Sequence, residues 1–123
     1  MINTIQEISG TDYGLSVVLK EGITIDDNNV LPTMEYIIEE LLKSKKTKVI
    51  VDATMIIRQV SVMRLMDVAE LMQKLCTRLK IAFVTPGMAD NQNSKAMETF
   101  SFNRGVYIQY FHNKDTALDW LLN

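Results

Sequence analysis

Two short runs, Val49-Ile50-Val51 and Ile81-Ala82-Phe83-Val84, are apolar at every position, and this restricts the fold more than any other feature of the chain. A strand with no polar alternation is buried on both faces, and such strands are usually parallel members of a helix-covered sheet. Between the two runs, Val62, Leu65, Met66, Ala69, Met72, Cys76 and Leu79 recur at helical spacing, so a second helix is expected to begin at Val60 or Ser61. A strand, a crossover helix and a strand then make one parallel unit, and the chain is expected to be α/β.

The flanking segments extend this unit. Ile2, Ile5 and Ile8 alternate, a turn rich in Gly and Asp spans Ser9 to Gly14, and Leu15 to Leu19 follows, which predicts a β-hairpin. Gly22 and the run Asp26-Asp27-Asn28-Asn29 end that region and offer N-cap side chains to a first helix with Pro32 in its first turn. Its stripe is Val30, Met34, Ile37, Ile38, Leu41 and Leu42, and it ends near Lys43. A third helix from Asp90 to Asn103, with Ala96, Met97 and Phe100 inward, leads through Gly105 into a strand from Val106 to Phe111. Asp115 to Leu122 forms the last helix. The predicted order is ββαβαβαβα over residues 1–123 as one domain, with a mixed, mainly parallel sheet and four helices mostly on one face.

Composition narrows the function. A net charge of -2 and a pI near 5.3 give no general attraction to phosphate backbones, so no nucleic acid partner is expected. No stretch is apolar enough to insert in a membrane, the N-terminus lacks the pattern of a signal peptide, and the lone Cys76 has no disulfide partner, so a cytoplasmic location is expected. His112 is the only histidine and is expected to end a strand near the surface; with Cys76 mid-helix on an apolar face, neither a Cys-His nucleophile nor a zinc site is expected. Thr85-Pro86-Gly87 lacks the glycines and lysine of a nucleotide loop. The chain is therefore expected to be no enzyme and to carry no cofactor or metal. Lys43, Lys45, Lys46 and Lys48 complement the negative end of the first helix, with a phosphate or anionic-lipid contact as the alternative.

Several landmarks carry a family resemblance: Gly22 after the second strand, Val49-Ile50-Val51-Asp52 before a loop and the second helix, Lys80-Ile81-Ala82-Phe83-Val84 followed by Thr85-Pro86-Gly87, and the ending Asp115-Thr116-Ala117-Leu118-Asp119-Trp120-Leu121. Together they resemble the STAS domain of anti-sigma-factor antagonists and sulfate-transporter tails, and look most like its stand-alone bacterial members of unassigned function. The resemblance covers nearly the whole chain. It implies a phosphorylatable serine at the start of the second helix, where Ser61 stands, although Arg58-Gln59-Val60-Ser61-Val62-Met63 lacks the adjacent Asp and small residues of the family pattern. The alternative role for Ser61 is an ordinary N-cap.

Asp52 at the carboxyl end of a buried strand is placed where ligands of α/β sheets bind, or else accepts backbone amides in its own loop. A phospho-accepting receiver domain is excluded, because the first strand ends Ile8-Ser9-Gly10 and the last Tyr110-Phe111-His112-Asn113, without the acidic residues and lysine such domains need. Eight methionines are many for this length, and Met63, Met66 and Met72 leave the second helix apolar over a wide arc, as at an interface or cavity. Tyr107 and Tyr110 face opposite sides of their strand, leaving one exposed.

The leading expectation is a regulatory or protein-interaction domain that works through the second helix and its preceding loop, with homodimerisation through an apolar face as a further expectation. The alternative is a carrier or sensor of a small apolar or anionic ligand held near the strand carboxyl ends. Ser61 is the candidate phospho-site or partner contact, and Asp52, Met55, Arg58, Met63, Thr85 and Met88 form the candidate ligand or partner surface.

Overall fold

In the computed structural model, which describes residues 2–75, 78–86, 92–103 and 105–123 (side chains 92 and 93 excepted), the buried runs sit at the centre of a five-stranded sheet. Strands β1 (Ile5–Gly10) and β2 (Leu15–Leu19) form the expected antiparallel hairpin. Strands β4 (Lys48–Asp52), β6 (Lys80–Val84) and β7 (Tyr107–Phe111) then add in parallel, giving the order β1-β2-β4-β6-β7. Two further strands, β3 (Thr24–Asp26) and β5 (Ile57–Gln59), escape the sequence pattern and pair in parallel as a separate ribbon. At three residues each, they show no alternation long enough to read.

The helices are α1 (Val30–Lys43), α2 (Val62–Leu75), α3 (Gln92–Phe102) and α4 (Lys114–Leu122). The register aligns Val17, Val51, Phe83 and Tyr110 across four strands, and this row belongs to the core that α1, α2 and α3 cover. Val84 and Phe111, from the next row, pack with Ile50, Ala82, Ala117 and Leu121 on the other face, under α4 alone. Three helices on one side and one on the other is the arrangement that burial of both faces of β4 and β6 demands.

Helix α1 buries Ile37, Ile38 and Leu41 completely, whereas Leu42, which the predicted stripe includes, is 40% exposed, and this corrects that position. Its expected side-chain cap is not formed. The Asn29 amide is engaged instead with Asp26 N–H and the Thr24 carbonyl, while Asp26 accepts from the Asn28 and Asn29 amides, so the polar run ties β3 to the helix start. In α2 the inward residues are Leu65, Val68, Ala69 and Met72. In α3, Ser94, Met97 and Ser101 are buried and Ala96 is exposed, which corrects the expected inward set. Leu79 is buried beyond the end of α2. Cys76, Gly87, Met88, Asp90 and Arg104 lie outside the described residues.

The basic cluster has a structural use. Lys46 donates to the carbonyls of Thr11 and Gly14 and so holds the hairpin loop, and Lys43 pairs with Glu40 at 3.8 Å. Gly14 is required there, because a Cβ would stand 1.8 Å from the Lys48 carbonyl oxygen.

Candidate functional site

The residues singled out in the sequence fall into three places. The first is the start of α2. Ser61 Oγ accepts the Arg64 amide at 3.2 Å, and the Leu65 amide bonds the Ser61 carbonyl, so Ser61 is an N-cap. Its own amide donates to Asp27 Oδ1 at 2.7 Å. Asp27 lies in the loop between β3 and α1, 34 positions before Ser61. The Ser61 amide chiefly holds the Asp27 carboxyl below its ordinary range; desolvation opposes this, and the Ser61 hydroxyl and Arg64 charge reinforce it.

Around this cap the chain exposes large apolar side chains. Met55 is 57% exposed, Ile57 51% and Met63 78%, spread over the nine positions that lead through β5 into α2. Isolated exposed apolar residues need no explanation, but three in one short segment beside a helix start constitute a surface feature.

The second place lies beneath that segment. A partly open cavity of about 60 Å³ lies between the sheet face and the helices, near the carboxyl ends of β4 and β6. Its walls include Val51, Phe83 and Tyr110 from the sheet, Met34 and Ile37 from α1, Leu65 and Val68 from α2, and Met97 from α3. Ile25 of β3 and Arg58 of β5 line it as well, so the small ribbon forms part of its wall. Phe83 and Tyr110 stack at 5.3 Å between centroids, and the Arg58 guanidinium lies 5.3 Å from the centre of the Tyr110 ring. Burial pushes the Tyr110 phenol above its ordinary range, with Arg58 opposing and Glu98 adding to the rise. Thr85 also lines the cavity, and its buried hydroxyl has no hydrogen-bond partner among the described residues.

The third place is the opposite face of the sheet. Asp52 lines a small cleft there with Ser16, Val18 and Lys114, and its carboxylate accepts the Thr54 amide at 3.0 Å. The structure therefore separates Asp52 from Arg58 and Thr85. Sequence reasoning grouped them because all lie near strand ends; the two-residue period of β4 and β6 puts them on opposite sides. Met88 lies outside the described residues. His112 is exposed just after β7, and Tyr107 is 42% exposed while Tyr110 is buried. Among the described residues no three His, Cys, Asp or Glu side chains gather as metal ligands, and no helix is long and apolar enough to cross a membrane.

The signal that sequence reasoning missed is in β5. There Ile57 points out and Arg58 points in, the reverse of the usual order for a strand covering a core. A local rule broken in this way is most often broken at a functional position.

Neither the protein-family models nor the curated proteins give a match to this chain. Among solved structures, it is similar to an uncharacterised protein of the DUF3478 family from Shewanella loihica PV-4, described as having a SpoIIAA-like fold. The identity is 20%, the match covers 98% of this chain and 96% of the other, and the TM-score is 0.58. The chain has the SpoIIAA-like fold, as the STAS resemblance implied.

Proposed function

We propose that this chain is a non-enzymatic regulatory domain that binds a protein partner through β5, the loop after it and the first turn of α2, with Ser61 as the position that switches the contact. The observation that carries this reading is the exposure of Met55, Ile57 and Met63 in the segment that also holds the Asp27–Ser61 hydrogen bond. Exposed methionines adapt to a partner surface at little cost, since their side chains are unbranched and polarisable.

The switch follows from charge. A phosphate on Ser61 would be drawn to the free amides and positive end of α2, but Asp27 already holds the Ser61 amide. Two anions competing for one helix end repel, so phosphorylation would expel Asp27 and loosen the loop that ties β3 to α1. Replacement of Ser61 by Ala removes the cap to Arg64 and the hydroxyl's contribution at Asp27, and leaves the backbone bond to Asp27 available.

The test is affinity capture with wild type, Ser61→Ala, Ser61→Asp, Met63→Glu and a distant control, Phe102→Glu, which alters an exposed residue of α3. One partner retained by wild type, Ser61→Ala and Phe102→Glu but lost by Ser61→Asp and Met63→Glu is expected. Equal retention by Ser61→Ala and Ser61→Asp would remove the switch, and retention by Met63→Glu would remove the surface.

A further inference from the structure

From the cavity beneath the ribbon we infer a second site, a binding pocket for a small amphipathic monocarboxylate whose apolar tail lies among Met34, Met97 and Phe83 and whose carboxylate meets Arg58 and Thr85. The inference does not rest on the proposed partner surface.

Three independent features point to this ligand class. The cavity walls are almost wholly apolar, as expected of a site for a hydrocarbon tail. Its volume of about 60 Å³ takes roughly four or five water-sized spheres, enough for a short chain, and the thioethers of Met34 and Met97 can shift to fit one. Next, Arg58 stands in the wall on the Tyr110 ring, and no carboxylate among the described residues forms an ion pair with it. A guanidinium presents a planar fork of donors that fits a carboxylate at two points, and a partly buried one gains most from such a partner. Finally, Thr85 is 5% exposed and lines the same space, and its buried hydroxyl has no hydrogen-bond partner among the described residues. A buried hydroxyl left without a hydrogen bond is costly, and a ligand oxygen would satisfy it.

Other polar groups nearby do not compete for this role. Glu98 is engaged with the Tyr110 amide at 2.9 Å, and Thr33 Oγ1 bonds Thr4 Oγ1 and the Asn29 carbonyl. The pocket also sits where α/β sheets hold their ligands, beyond the carboxyl ends of parallel strands. The inward turn of Arg58 in β5, which sets its guanidinium over the Tyr110 ring, also brings its charge to the cavity.

The experiment titrates ¹³C-methyl-methionine protein with hexanoate and, separately, with the neutral 1-hexanol, reading the Met34 and Met97 methyl resonances. Hexanoate is expected to shift both and to bind at least about ten-fold more tightly than hexanol, since the charged oxygen pair gains the Arg58 fork. Arg58→Gln should abolish that preference, bringing the hexanoate and hexanol affinities together. Thr85→Val keeps the shape, so it should fold even if Arg58→Gln does not, and should weaken hexanoate several-fold. Absence of any Met34 or Met97 shift at about 10 mM hexanoate, a Kd weaker than any useful affinity, would overturn the site. Equal or tighter binding of hexanol by wild type would overturn the assigned ligand class.

Discussion

Thr85 and Ser61 show how the same kind of side chain can serve opposite ends. The Thr85 hydroxyl is buried without a partner among the described residues, so Thr85→Val should stabilise the free protein by about 1 kcal/mol, measured as a raised urea midpoint at unchanged slope. Ser61→Ala loses a cap and should destabilise by about 1 kcal/mol in the same assay. Asp27 supplies a pH signature. Its folded pKa lies below the ordinary 3.8, so its contribution is present above the unfolded value and is lost as pH falls through the folded one. Asp27→Ala should therefore lower Tm at neutral pH, and its difference from wild type should shrink as pH falls below the ordinary carboxylate range and vanish once the folded carboxylate is protonated. Ser61 could be read as a helix start from the sequence, because N-caps are local. Asp27 could not, since it reaches Ser61 from 34 positions away through the pairing of β3 with β5.

Strands β4 and β6 and helices α1, α2 and α4 were legible because each carries a pattern longer than one period. Leu41→Ala should cost about 2–5 kcal/mol, whereas Leu42→Ala should stay within about 0.5 kcal/mol, since only Leu41 is fully buried. The pair checks the α1 stripe by chemical denaturation. Strands β3 and β5 were missed for a reason that bears on function. Each offers three residues, their partner is far away in sequence, and β5 turns its isoleucine outward and its arginine inward. The hydrophobic pattern also places Ala96 inward in α3, where the buried positions besides Met97 are the small polar Ser94 and Ser101 that no such pattern marks.

In the molecule as a whole, the sheet divides the candidate residues. The face under α4 holds Asp52, and the face under α1, α2 and α3 holds Thr85 and Arg58 around the cavity, with Met55, Ile57, Ser61 and Met63 on the exposed segment outside it. The exposed apolar segment and the cavity thus share one wall, the β3–β5 ribbon. A charge at Ser61 should be felt along that wall and nowhere else. Hydrogen exchange followed by mass spectrometry on wild type, Ser61→Ala and Ser61→Asp tests this most directly. The account predicts that Ser61→Asp expels Asp27 and speeds exchange in segments 24–29 and 57–61, while Ser61→Ala changes only the first turn of α2 and the five-stranded sheet keeps its protection in both. Identical exchange of the two variants in segments 24–29 and 57–61 would contradict it.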